Sequence, residues 1–114
     1  MRILHIMAGR GLGGAETYST DVILRLHSTG IDQCVVMSKK APRFEELRAA
    51  GLRMAPHVLA VRFGPLQKLL MKRLIGAEKP DVIHCWMRRA ASLVPKLPQG
   101  AAPSVIGWFG GYYN

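Results

Sequence analysis

The segment Gly9-Arg10-Gly11-Leu12-Gly13-Gly14-Ala15-Glu16 directly follows the apolar run Ile3-Leu4-His5-Ile6-Met7. A strand that passes through a glycine turn into a helix brings backbone N–H groups close to a ligand. The helix start adds unpaired donors, so the device suits a phosphate, and a nucleotide is the natural carrier. Gly9, Gly11 and Gly14 also satisfy the G-x-G-x-x-G pattern of dinucleotide binding. That pattern calls for an acid about 20 residues further on, at the end of the second strand. Here the second strand is expected to end in Met37-Ser38-Lys39-Lys40, and Asp32 lies at its opposite end. Lys39 or Lys40 would suit the 2′-phosphate of NADP, so an NADP-binding oxidoreductase domain stays open. A glycine turn with no ligand is the plain alternative.

The charge balance points the same way. Sixteen Lys and Arg against seven Asp and Glu give a formal charge of +9, which suits an anionic partner: a nucleotide, a phospholipid surface or a nucleic acid. No zinc finger, aromatic-basic strand or recognition helix accompanies the charge, so no nucleic-acid partner is expected. The two cysteines, Cys34 and Cys85, fall in expected strands with no metal-ligand spacing. They read as buried thiols, and neither a metal site nor cysteine catalysis is expected.

The elements that must hold the glycine turn follow from the hydrophobic rhythm. Arg2–Met7 reads as a buried strand and Ala15–Thr29 as a helix, with Ala15, Tyr18, Val22 and Leu26 on one face and Gly30 as its stop. Gln33–Ser38 is a second strand, Arg43–Ala50 a short helix before Gly51, and Val58–Val61 a weaker strand. Pro65–Glu78 is a basic amphipathic helix closed by Pro80. Asp81–Cys85 is a strand, Arg89–Lys96 a short helix and Ser104–Trp108 a last strand. Strands alternating with helices predict one α/β domain with a parallel, doubly wound, Rossmann-like sheet. Its ligand site lies beyond the carboxyl ends of the strands. No apolar run approaches the ~18 residues that span a bilayer, and no signal-peptide core precedes the glycine turn. A cytoplasmic location is the expectation. The last residues, Gly110-Gly111-Tyr112-Tyr113-Asn114, follow a strand with no helix to cover it. Parallel sheets are normally covered on both faces, so an incomplete domain is expected.

Gly13-Gly14-Ala15-Glu16 after the first strand, and Pro80-Asp81-Val82-Ile83-His84 on the fourth, resemble the N-terminal domain of family 4 glycosyltransferases. The resemblance covers nearly all of the chain. It implies a retaining, two-domain GT-B enzyme of hexosyltransferase type that moves a sugar from a nucleotide-sugar donor, its substrate, to a glycan or lipid-linked acceptor, with no separate cofactor. The N-terminal domain would hold the acceptor, while Gly13 and Gly14 offer N–H groups to the donor diphosphate, stabilising charge that develops on the leaving group. Glu16 would steady the helix start. The donor domain, with its nucleotide-binding lysine and paired glutamates, is not in these residues, so the chain alone is expected to be inactive. A non-catalytic nucleotide- or glycan-binding subunit with a partner chain is the alternative from another class.

Two positions depart from the family pattern. The histidine often found just after the last strand is replaced by Phe109-Gly110-Gly111, and a second histidine expected two residues after His84 is replaced by Trp86. Acceptor chemistry is therefore expected to differ. His84 is assigned to the cleft or to a structural hydrogen bond, while His5, His27 and His57 are assigned to structure or surface. Arg88 and Arg89 at a helix start disfavour the helix itself and suit an anionic acceptor group. Gly110, Tyr112 and Tyr113 would line the cleft, the tyrosines stacking on a sugar. On Pro65–Glu78, Lys68, Lys72 and Arg73 lie beside Leu66, Leu69, Leu70 and Leu74. The leucines are expected in the core, with the basic residues solvated; contact with anionic lipid at the inner membrane face is the competing reading.

Overall fold

Short apolar strands separated by longer amphipathic segments can bury both faces of a sheet only if helices cross over each face in turn. The computed structural model of the chain, which describes residues 1–7, 14–86, 93–94 and 104–108, has this layout. In chain order the elements are β1 (Arg2–Met7), α1 (Gly14–Ser28), β2 (Asp32–Met37), α2 (Phe44–Ala49) and β3 (Arg53–Met54). They continue with α3 (His57–Ala60), α4 (Gly64–Glu78), β4 (Val82–Trp86) and β5 (Ser104–Trp108). The strands form a 5-stranded sheet in the order β3-β2-β1-β4-β5, and each pairing is parallel. This is a Rossmann-like α/β arrangement.

The period of two along the strands sorts the core onto two faces. Leu4, Ile6, Cys34, Val36, Ile83 and Cys85 share a cluster with Val58 of α3 and Met71 and Ile75 of α4. Met7, Val35, Met37 and Trp86 share the other with Ile23 of α1 and Phe44 and Leu47 of α2. Both cysteines are free and buried. Burial pushes the Cys34 thiol up to about 12, with Glu78 nearby adding to the effect, and burial raises Cys85 too.

The helix ends show why the boundaries fall where they do. Gly30 (φ 86°) and Gly51 (φ 99°) are left-handed. After α1, the Gly30 N–H donates to the His27 carbonyl and the Ile31 N–H to Leu26. After α2, Gly51 donates to Arg48 and Leu52 to Leu47, and Leu47 and Leu52 are both buried. Both are Schellman stops, the second with its usual apolar contact between Leu47 and Leu52.

Three expectations change. The segment expected as a strand at Val58–Val61 is the helical turn α3, and the third strand is Arg53–Met54, upstream of it. Ladder pairing ends when the Ala55 N–H donates to the Val35 carbonyl. Pro56, at φ −74° and ψ −19°, then starts the helical turn that buries Val58. A four-residue apolar run carries no period of its own, so the proline decided. On α1 the buried face is Ser19, Thr20 and Ile23, and Tyr18 is 51% exposed. The buried face is turned by about one residue from the expected one, and the Gln33 amide of the sheet donates to the Ile23 carbonyl on it. On α4, Met71 and Ile75 carry the burial. Leu70 and Leu74 pack at its margin, but Leu66 (42%) and Leu69 (45%) are exposed, so only part of the leucine set serves the core. The helix expected at Arg89–Lys96 lies outside the described residues, except that Leu93 and Val94 pack against the first cluster.

Two glycine substitutions separate backbone strain from helix propensity. Gly51→Ala places a side chain in the left-handed region and is expected to cost about 1–2 kcal/mol. Gly76→Ala, in α4 with open space around the new Cβ, is expected to gain about 0.5–1 kcal/mol. Urea midpoints read both.

Candidate functional site at the carboxyl rim

In register, β1, β2 and β4 end level: Met7 is opposite Met37 on one side and Trp86 on the other. Their carboxyl ends therefore share one rim. α1 begins there at Gly14, the one residue of the expected Gly13–Gly14 diphosphate pair within the described set. Gly13, Arg88, Arg89, Gly110, Tyr112 and Tyr113 lie outside the described residues. His84 lies on β4 two residues short of its end, opposite His5 of β1 and Ile106 of β5. It is half-buried, so the rim itself belongs to Trp86.

Beneath this rim runs a polar chain through the core. The Trp86 indole N–H donates to His5 Nδ1 (3.0 Å). An indole can only donate, so Nδ1 is the acceptor and the proton sits on Nε2. Nε2 then donates to Gln33 Oε1 (2.6 Å), and the Gln33 amide nitrogen donates to the Ile23 carbonyl of α1 (2.9 Å). Burial, with His84 nearby, lowers the His5 pKa to about 4 despite the Gln33 contact. A second proton would also face the indole N–H with another donor. The His84 ring stacks on Trp86 with centroids 4.0 Å apart, and burial lowers its pKa. Tyr18 of α1 meets Trp86 edge-on at 6.0 Å. The first turns of α1, the end of β4 and the centre of β1 are thus locked to one another.

His5 is structural, one of the two assignments open from sequence. The linked set of His5, Gln33 and Trp86 was not legible as a set. The available signal was the polar residues His5, Gln33 and His84 inside otherwise apolar strands, and the pairing register was needed to join them. Trp86 supplies the N–H that the neutral His5 accepts.

Charge at the opposite rim is compensated. Asp32 bonds Arg53 and also pairs with Arg2 (3.0 Å). Arg53 reaches Glu78 (2.7 Å), and Asp81 accepts the Arg2 backbone N–H (2.7 Å). The Arg53 hydrogen bond is the main cause that lowers the Asp32 pKa. Asp32 is therefore committed at the amino end of β2, far from any ribose at the carboxyl rim. Among the described residues no group of three or more His, Cys, Asp or Glu side chains is placed to hold a metal ion, and no helix is long and apolar enough to cross a membrane.

A five-stranded parallel sheet with flanking helices, the first of which begins at the carboxyl rim at Gly14, defines the Rossmann-like class of α/β domains. Within that class, residues 12–112 match the family model of Glycosyltransferase Family 4, and the chain belongs to that family. No curated protein and no solved structure matches it.

Trp86→Phe strips the donor from a buried acceptor and is expected to cost about 1–3 kcal/mol, read by thermal or urea unfolding. Because the folded His5 pKa is depressed from 6.5 to about 4, the unfolded chain binds the extra proton first as pH falls. The His5 contribution is present in full above pH 6.5 and is lost between pH 6.5 and 4, at about 1.4 kcal/mol per pH unit. Urea midpoints across that window should fall with pH, and an unchanged midpoint would contradict the neutral buried ring.

Proposed function

We propose that the chain is the acceptor-side domain of a retaining glycosyltransferase that uses a nucleotide-sugar donor. The observation that carries this reading is α1 rising at Gly14 from the carboxyl rim in a chain of this family. A helix start directed at a diphosphate needs no rearrangement as charge builds on the departing nucleotide, which is how preorganised N–H donors lower a barrier. The sugar would be a hexose and the acceptor a glycan or lipid-linked glycan of the bacterial-surface type. The donor domain needed for turnover would be a further domain or a partner chain, and these residues by themselves would bind without catalysing transfer.

The acceptor would be met at the cytoplasmic face of a membrane. On α4, Leu66, Leu69 and Arg73 are i, i+3 and i+7 neighbours, and Lys72 follows Leu69 and Lys68 at helical spacing. Phe63 at the start of the helix is 66% exposed, with Leu66 and Leu69 also outward. Apolar side chains ringed by cations suit an anionic lipid surface.

Proline is tolerated at a helix start and lacks an N–H. Gly14→Pro should therefore leave the unfolding midpoint nearly unchanged while weakening binding of a uridine or guanosine diphosphate sugar about tenfold or more, measured by calorimetry. Tight binding of NADPH with no response to nucleotide sugars would replace this reading with an oxidoreductase one. Converting Lys68, Lys72 and Arg73 to Gln should reduce co-sedimentation with phosphatidylglycerol vesicles; equal sedimentation would remove the membrane contact.

A further inference from the structure

The described part of the carboxyl rim has a second feature that neither the glycine turn nor the polar chain uses. At the end of β2 lies a cavity of about 530 Å3, lined by Ser38, Lys39 and Lys40 from one segment and by His57, Leu59 and Arg62, among others, from another. Lys39, Lys40, His57 and Arg62 are exposed, and no carboxylate lines the cavity.

The nearby acids are engaged elsewhere. Glu45, whose pKa is lowered mainly by its hydrogen bond to Arg48 and to a lesser degree by the charge of Lys39, is held by Arg48 through Nε (2.9 Å) and Nη2 (2.7 Å). Glu46 is held by Arg43 (2.9 Å), and Asp32 and Glu78 are bound to arginines at the other end of the strands. Among the described residues, none of these ion pairs includes Lys39, Lys40 or Arg62. Three cationic side chains that line one cavity from two segments repel one another, and an anion held between them relieves that repulsion. The apolar part of the lining, Pro56, Leu59 and Ala60, would take the carbon face of a small polyol.

We propose that this cavity is a phosphate subsite, in which Lys39, Lys40 and Arg62 grip the phosphate of a phosphorylated sugar or polyol headgroup on the acceptor. Its description as part of the acceptor rests on the transferase reading; the capture of phosphate does not. Arg62 supplies a planar fork for two phosphate oxygens, and the lysines supply mobile point charges. Ser38, whose hydroxyl accepts the Lys40 backbone N–H (3.2 Å), keeps its own proton to donate.

The test uses glucose 6-phosphate against glucose, titrated into the protein without any donor nucleotide. Glucose 6-phosphate should bind and glucose should not, with amide shifts confined to the 38–40 and 57–62 segments. Lys40→Gln or Arg62→Gln should each weaken binding about tenfold, while Arg25→Gln, the same charge change on exposed α1, should leave it unaltered. Vesicles of phosphatidylglycerol against phosphatidylcholine identify the source. If the cavity variants also lose vesicle binding, the phosphate is that of a lipid headgroup; if they lose only the sugar phosphate, it is soluble. Either result supports the subsite. Equal weakening by Arg25→Gln, shifts spread over the basic surface, or no binding of either probe would overturn it. Failure here leaves the Gly14→Pro result standing, and failure of nucleotide-sugar binding leaves phosphate capture standing.

Discussion

Parallel pairing on both sides of β1 is the constraint from which the rest follows. With Arg2 opposite Asp32 and Met7 opposite both Met37 and Trp86, the strands start level and end level. The carboxyl ends of β1, β2 and β4 reach one rim, and every crossover must return over a face of the sheet. The helices supply the two apolar layers. The turns that feed them, rather than the strands, are left to meet a ligand.

The same alignment separates charge. Strand starts carry Arg2, Asp32, Arg53 and Asp81, which neutralise one another with Glu78. Strand ends carry Lys39 and Lys40 without such compensation. A chain of net charge +9 thereby has, among the described residues, a neutralised amino rim and two lysines outside those ion pairs after β2 at the carboxyl rim, a charge distribution that favours anions there.

Rigidity at that face comes from an unusual source. Apolar packing alone is tolerant of small shifts, whereas a hydrogen-bonded chain through the core fixes orientation. Trp86, His5, Gln33 and the Ile23 carbonyl form such a chain, tying β4, β1, β2 and α1 together. It sets where α1 begins relative to the end of β4, which is the spacing any ligand bridging them must match.

Much of this was legible in the residues themselves. Alternating apolar strands and amphipathic helices, with Gly30, Gly51 and Pro80 as stops, define the parallel α/β class, because local periodicity and backbone freedom are properties of short segments. The pair Gly13–Glu16 and Pro80–His84 carries the family. What local pattern could not settle were the cases with two comparable local solutions. Val58–Val61 is apolar under either a strand or a turn; Pro56 opened the turn, and Val58 is buried in it against β2 and α4. Tyr18 and Leu66 belong to apolar stripes, yet the surface each helix meets turned them outward. The partnership of His5 with Trp86, and the convergence of Lys39 and Lys40 with Arg62, join residues far apart in the chain. The sequence by itself determined the alternation of strands and helices and the family; only the tertiary structure decided the state of the short apolar run Val58–Val61 and which distant polar and charged groups meet, because their energies depend on separation and burial that chain order does not specify.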